Sequence, residues 1–205
     1  MRFKKPTNGK EIQEIGRKIL HIMIGSAALL LIVYNIITPL IIFILLAISI
    51  LLSLLSLYYE LPIVNFFLSN FERNRDKHQI PGKGFLFAAA GTLLALQLFD
   101  RDIALASMII LIFADPISYL VGKYFGKTKS LLDRRKNIEG NIAGFLVSSI
   151  LALFFVDPVL AISGSLIAML FESLVIEIQK IELDDNLIIP LAAGTTMFLI
   201  RNYLM

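Results

Sequence analysis

The chain has 205 residues, 57% of them hydrophobic, with a mean hydropathy of +0.79 and a formal net charge of +3. Soluble domains are about 45–50% apolar, so this composition excludes an ordinary soluble domain and predicts an integral membrane protein. The absence of cysteine excludes a disulfide framework, a thiol nucleophile and a Cys-ligated metal, and the absence of tryptophan leaves interfacial anchoring to Tyr and Phe.

Residues 1–17 form a basic segment, and the apolar run that follows is too long for the h-region of a cleavable signal. The apolar runs predict seven helices, at about 18–37, 39–58, 84–99, 103–122, 141–157, 158–177 and 186–204. Leu61–Asn70 reads as an interfacial segment, restarted by Pro62. The fold class is therefore all-α, a polytopic bundle of about seven spans in one domain covering 1–205. Asn35 to Pro39, Asp100-Arg101-Asp102 and Asp157-Pro158 are tight turns on one side, and the long polar segments fall on the other. Residues 1–18, 60–83, 123–139 and 178–185 hold six, four, six and one Lys or Arg, which is 17 of the 19; Arg101 and Arg201 lie opposite. The positive-inside rule then makes the N-terminus and the three large loops cytoplasmic. The implied location is the cell membrane, or the endoplasmic reticulum in a eukaryote.

The residues that carry chemistry begin in the first helix. Arg17, Lys18 and His21 stand at i, i+1 and i+4, close to one face. Cations at a helix end commonly just snorkel, but His21 lies deeper and needs a partner. Ile80-Pro81-Gly82-Lys83-Gly84 has no cradle geometry and reads as the turn into the third helix.

The fourth helix holds the most informative residue. Asp115 sits inside an otherwise apolar run, where a carboxylate costs at least a few kcal/mol unless paired, hydrated or bound to a cation. Its structural alternative is an ion pair with a lysine. Asp115, Tyr119, Gly122 and Gly126 share one helical face. The two glycines suit either a helix-packing face or close backbone approach to a phosphate. The stretch Gly122–Thr128 is no P-loop: that pattern needs glycine where Val121 stands, after a strand rather than a helix.

Lys127, Arg134, Arg135 and Lys136 follow in a basic loop that ends at Glu139-Gly140. The last acids are Glu172 and Asp184-Asp185, the latter pair also suited to capping the final helix. Asp115, Glu139, Glu172 and Asp185 all fall on the cytoplasmic side. Hard oxygen ligands suit Mg²⁺, which takes one or two carboxylates plus nucleotide phosphates.

Together these residues resemble the dolichol kinase and phytol kinase family, which includes CTP-dependent diacylglycerol kinase and is related to lipid cytidylyltransferases. Arg17-Lys18 with His21 resembles the family's Arg-Lys-x-x-His. Asp115 to Gly122, then Phe125-Gly126-Lys127, resembles its Asp-x-x-Ala-x-x-x-Gly-x-x-Phe-Gly-Lys. Lys136-Asn137-Ile138-Glu139-Gly140 resembles its Lys-Ser/Thr-x-Glu-Gly, with Asn137 in place of the hydroxyl residue. Ser118 or Tyr119 stands near the usual small residue, and Glu172 and Asp185-Asn186-Leu187 resemble the last acidic segments.

The resemblance implies transfer of the γ-phosphoryl group of CTP to the hydroxyl of a membrane lipid alcohol, a polyprenol, dolichol or related isoprenoid, at the cytoplasmic face. It implies that Asp115 binds Mg²⁺ with Asp185 or Glu172. Lys127, Lys136, Arg17 and Lys18 would neutralise phosphates, and Gly122, Gly126 and Gly140 would admit them. Glu139 would be a metal ligand or a base, and His21 a second candidate base. Three rivals stand beside this reading: a diacylglycerol kinase, a cytidylyltransferase making a CDP-lipid, and a non-enzymatic membrane protein such as a transporter. The chain lacks a late His-Gly-Gly followed by Asp-Arg-x-Asp, which disfavours the cytidylyltransferase. Its charges gather at one face rather than at mid-membrane, which disfavours the transporter.

Overall fold

The computed structural model describes residues 9–59, 61–71, 80–130, 136–174, 177–178, 181–182 and 184–205. Among them are eight helices: α1 (Gly9–Val33), α2 (Pro39–Ser56), α3 (Pro62–Phe71), α4 (Lys83–Leu98), α5 (Arg101–Phe125), α6 (Ile138–Ala152), α7 (Pro158–Glu172) and α8 (Asp185–Tyr203). A two-residue hairpin, β1 (Glu177–Ile178) with β2 (Ile181–Glu182), joins α7 to α8.

Local chemistry fixes the helix ends. After α1, Asn35 turns the chain at φ 58, a left-handed conformation that asparagine tolerates better than most residues. Thr38 then caps α2 by accepting from the Ile41 amide at 3.4 Å, with Pro39 first in the helix. Asp184 caps α8 by accepting from the Asn186 amide at 3.0 Å.

Three helices are long and apolar enough to cross a bilayer: Glu11–Val33, Pro39–Ser56 and Arg101–Phe125. This is a membrane protein. Lys83–Leu98, Ile138–Ala152 and Pro158–Glu172 are apolar but shorter. At 1.5 Å per residue a 15-residue helix rises only about 22 Å, less than the ~30 Å hydrocarbon core. In the apolar runs expected at 141–157 and 158–177 the helices end at Ala152 and Glu172, followed by a turn at 153–155 in the first and at 173–174 in the second. The interfacial reading of 61–70 corresponds to the short helix α3, next to α1 and α2.

The bundle is built around α5. Over its most apolar 18 residues 72% are buried, against 17% for the matching stretch of α1 and 11% for that of α2. An apolar helix buried on all sides belongs at a core; α1 and α2 present apolar faces outward. α5 packs on α6, α8, α1 and α7. Its crossing with α6 is close because that face carries glycine. A Cβ at Gly140 would meet the Ser118 carbonyl and lie 2.9 Å from the Gly122 Cα, and one at Gly144 would lie 2.7 Å from the Ala114 carbonyl.

The two ends of the bundle differ. At one end lie the C-termini of α5 and α7 with the N-termini of α1, α4, α6 and α8. At the other, Arg101 donates to the Ile32 and Val33 carbonyls at 3.3 and 2.9 Å, filling the open C-terminus of α1. Arg201 there grips Asp102 through two hydrogen bonds of 3.0 and 2.5 Å and reaches Asp100 at 3.4 Å.

Candidate active site

A cavity of about 1600 Å³ opens at the first end. Its walls come from α1, α2, α4 and α5, the loop after α5, and the start of α8. Arg17, Lys18, His21, Asp115, Gly122, Gly126, Lys127, Lys136, Glu172 and Asp185 all line it. Residues up to 168 positions apart in the chain therefore share one wall, and most of the set singled out from the sequence is brought together.

The deepest charged pair is Lys18 with Asp115, which are hydrogen-bonded; their side chains are 9% and 18% exposed. This is the lysine partner that was the structural alternative for Asp115. The pair nonetheless faces the cavity, and His21 lies beside it. The Nε2 atom of His21 is buried and accepts or donates no hydrogen bond. Lys18 and Lys123 both approach the Tyr119 ring, at 5.6 and 5.8 Å from its centre.

The second cluster sits across the cavity. Lys136 Nζ donates to Glu172 Oε1 at 2.8 Å, donates also to the Glu172 carbonyl, and stands 3.9 Å from Asp185 Oδ2. Burial alone would lower the Lys136 pKa, but the facing carboxylates outweigh it and hold the ammonium above the usual lysine range. Glu172 is 2% exposed, and its Oε2 is buried without a hydrogen-bond partner. An unpartnered carboxylate oxygen aimed at other acids suits a cation. Among the described residues no three His, Asp or Glu side chains are grouped closely enough to hold a metal by themselves. Mg²⁺ does not require such a cage, because it is usually held by one or two carboxylates and the substrate's phosphates.

The loop carrying Lys136 is folded back by an antiparallel bridge between Lys129 and Asn137. Ser130 donates to the Lys136 carbonyl and Ile138 to the Thr128 carbonyl, both at 3.0 Å. Asn137 donates to the Gly122 carbonyl at 2.6 Å, so the residue that departs from the hydroxyl pattern ties this loop to the end of α5. Glu139 and Gly140 are not on the cavity wall. Glu139 Oε1 accepts from the Thr128 amide at 2.9 Å, and Gly140 serves the α5–α6 crossing. Arg134 and Arg135 lie outside the described residues.

Several lining residues were not singled out from the sequence as site residues. Lys123 lies on the wall and continues the every-fourth-residue face of Asp115 and Tyr119, a spacing that marks it. Gly82, Lys83 and Gly84, read as a turn, also line the cavity, and Asn186 donates to the Gly84 carbonyl at 3.3 Å. Beneath the site, Ser118 donates to Asn141 at 3.2 Å and Asn141 to Ser173 at 2.6 Å, linking α5, α6 and the end of α7.

With this geometry described, the comparisons become informative. The chain is 32% identical over 191 residues to an uncharacterized protein of Methanocaldococcus jannaschii, covering 87% of this chain and 90% of that one. The chain belongs to the family of that archaeal protein. It is also 29% identical over 83 residues to CTP-dependent diacylglycerol kinase 1 of Eremothecium gossypii, a similarity covering 40% of this chain and 26% of that protein. No protein-family profile matches the sequence, and no solved structure is similar to it.

Proposed function

We propose that the protein is a CTP-dependent kinase that phosphorylates the hydroxyl of a membrane lipid alcohol, a polyprenol, dolichol or related isoprenoid. One observation carries the reading: a single cavity joins a cluster of lysines and carboxylates to a long apolar arm. An amphiphile seated there has its polar end among the charges, where a nucleotide arrives from the aqueous side. The partial similarity to a CTP-dependent diacylglycerol kinase supports the same class of chemistry, and diacylglycerol is the second acceptor to test.

The roles follow from the chemistry. The acceptor oxygen attacks the γ-phosphorus of CTP, the bond from that phosphorus to the β,γ-bridging oxygen breaks, and CDP leaves with the electron pair. His21, with its free Nε2 beside Asp115, takes the hydroxyl proton. Lys18, Lys136, Arg17 and Lys127 neutralise the phosphates. Asp115, Glu172 and Asp185 are the residues that would hold Mg²⁺, which when bound offsets charge on the β- and γ-phosphates. As phosphates enter, Lys18 and Lys136 exchange carboxylate partners for phosphate oxygens, which would leave Asp115 and Glu172 available to a cation. Gly122 and Gly126 admit the Asn137 side chain against the end of α5, which seats the loop that carries Lys136. Glu139 holds the Thr128 amide and so positions the loop.

The topology belongs to the same proposal: about seven membrane crossings in one domain over 1–205, the shorter α4, α6 and α7 crossing where the bilayer thins to match them, with the N-terminus and the site in the cytoplasm. The chain has no cysteine, so a single cysteine at position 129 is a clean reporter. Labelling of that position from outside intact cells overturns the orientation.

The activity test uses the purified protein, a panel of lipid alcohols, and CTP labelled at either the α or the γ position. Label in the lipid phase from γ-labelled CTP only is the expected result. Label from α-labelled CTP identifies a cytidylyltransferase instead. Label from neither, with the protein folded, removes the kinase reading.

A further inference from the structure

The charged cluster occupies only one end of the cavity. Along α1 the lining runs from Glu11 to Ile32, a rise of about 32 Å at 1.5 Å per residue, comparable to a bilayer's hydrocarbon core. Past Lys18, His21 and Asp115 the lining of α1, α2, α4 and α5 turns apolar. Thr92 carries the one polar side chain there.

This arm lies in a gap between helices. Among the described residues, α1 packs on α5 and α3, and its Cα atoms come within 8 Å of neither α2 nor α4. The gap is held open from both ends. Lys18 ties α1 to Asp115 of α5 near the charged end, and Arg101 ties its last carbonyls at the other. Between them Gly25 lets α1 sit down on α5, where a Cβ would meet the Ile112 side chain at 2.8 Å. α1 therefore leans on α5 and leaves its side toward α4 uncovered. Small residues, Ala28 on α1 and Ala88 and Ala89 on α4, keep that space wide. The turn after α1 closes the bottom, with Ile32, Ile37 and Ile42 at the end of the lining.

The arm also opens sideways. Ile24 of α1, Leu45 of α2 and Phe85 of α4 line the cavity yet are 53%, 44% and 55% exposed. They mark a slot between α1 and the α2–α4 pair, facing the bilayer. Beyond Thr92 the wall of this arm offers water no side-chain hydrogen-bond partner, and covering its apolar surface with hydrocarbon is favourable. Hydrocarbon is the occupant its chemistry selects.

Resting on the kinase reading of the same site, we infer that this arm is a tail chamber. It takes one hydrocarbon chain of the lipid acceptor, admitted sideways through the slot, and so delivers the hydroxyl to Asp115 and His21. From Lys18 to Ile32 the chamber is about 21 Å deep, room for roughly 16 extended chain carbons. Longer chains run back out through the slot into the bilayer.

The test reads binding rather than activity. A 16-carbon primary alcohol with a diazirine at its far end is photolysed with the intact protein in bilayer nanodiscs without nucleotide, and labelled residues are mapped by mass spectrometry. Labelling is expected around Ile32 and Ile37 at the chamber bottom and on the Ala88–Thr92 turn of α4. Excess unlabelled alcohol and Ala88→Phe should each reduce it at least tenfold. Ala28→Leu replaces Ala88→Phe if the latter lowers the melting midpoint. Labelling confined to the outward residues of α2, such as Leu40, Phe43 and Leu51, or labelling indifferent to competitor and to the blocking variant, overturns the chamber. Phosphoryl transfer without chamber labelling sinks this inference and leaves the kinase reading standing. Competed chamber labelling without phosphoryl transfer does the reverse.

Discussion

The bundle carries ion pairs at both ends, built differently. At the far end Arg201 holds Asp102 with a two-pronged grip, the side chains 28% and 42% exposed. Arg101 fills the C-terminus of α1. These are arginines, whose planar fork fixes geometry, and every contact they make joins one helix end to another. At the cavity end the cations that reach acids on other elements, Lys18, Lys123 and Lys136, are lysines, buried or half-buried, while Arg17 pairs with Glu14 on its own helix; Glu172 keeps one oxygen without a partner. A lysine is a point charge on a flexible stem that can change partner. The difference separates a fastening from a site. Charge and helix-end position are shared; burial, the type of cation and the surplus carboxylate oxygen are not.

The largest expected effect tests the cavity end. Asp115→Asn should lower phosphoryl transfer on the order of 10²–10³-fold, the usual scale for losing one electrostatic stabiliser of the transition state. It also leaves Lys18 buried without its acid, which destabilises by about 3–5 kcal/mol. The double variant Lys18→Met with Asp115→Asn separates the two losses. It should recover the melting midpoint while activity stays lost. Recovery of activity as well would reduce the pair to a fastening like the one at Arg201.

Next is Lys136. Its replacement by alanine should raise the KM for CTP about 10- to 100-fold, because a hydrogen bond to a charged group is worth about 1.5–3 kcal/mol; kcat should change less. Lys136→Arg keeps the charge and should recover part of the affinity. The pKa of Lys136 is raised. Its contribution to stability is therefore complete below the ordinary lysine pKa of about 10.4 and is lost only as pH climbs through the still higher folded value. Wild type and Lys136→Arg should have parallel melting midpoints from pH 8 to 9.5, above the range in which Glu172 and Asp185, both raised by burial, titrate. Divergence inside that window would mean that Lys136 is not held between Glu172 and Asp185.

Much of this site was legible from residue chemistry. Asp115 stood out because an acid in an apolar run needs a partner, and the partner is Lys18, itself singled out 97 residues earlier. Seven of the eight described helices and their order were legible from apolar run length and from turns such as Asn35 and Asp157-Pro158; α3 read only as an interfacial segment, and α1 begins at Gly9 rather than at 18. Crossing depth was not. A run gives apolar length, whereas the structure ends α6 at Ala152 and α7 at Glu172, short of a full span. The pairing of Lys136 with Glu172 was illegible for another reason. It depends on the Lys129–Asn137 bridge, a loop register with no turn signal in the sequence, and on packing against the end of α7, 36 residues on. Gly122 and Gly126 suited either phosphate approach or helix packing on sequence grounds, and Gly140 was expected at phosphate; only the crossing of α5 and α6 reveals that Gly122 and Gly140 meet each other.

Glu139 sharpens the line between wall and support. It was expected as a metal ligand or base; its Oε1 accepts from the Thr128 amide behind the wall, and its Oε2 is buried without a hydrogen-bond partner. Glu139→Gln keeps an oxygen acceptor for that amide and should cost less than about tenfold in kcat, well below an essential acid–base group at 10²–10⁴-fold. Glu139→Ala should cost more than Glu139→Gln, through KM as well as kcat, because the loop carrying Lys127 loses its tether. A loss on the acid–base scale for the glutamine variant, with unchanged KM, would return Glu139 to the chemistry.

The smallest effect is expected at the far end. Arg201→Ala removes both hydrogen bonds to Asp102 and the longer one to Asp100. Exposed pairs contribute about 0–1 kcal/mol, and the two-pronged geometry places this one toward the top of that range. A small drop in melting midpoint is expected, shrinking further in high salt because exposed charges are screened. The KM for CTP should not move, since no atom of the clamp touches the cavity. Arg201 and Asp185 nonetheless lie on one helix, α8, so the comparison can fail in an informative way. If Arg201→Ala raises the KM for CTP, then α8 shifts as a rigid rod when its far end is released. Asp185 would move relative to Lys136 and Glu172. The far end would then set the spacing of the acids, and the two ends would be one device. An unchanged KM, measured in a variant whose melting midpoint has fallen, keeps them separate.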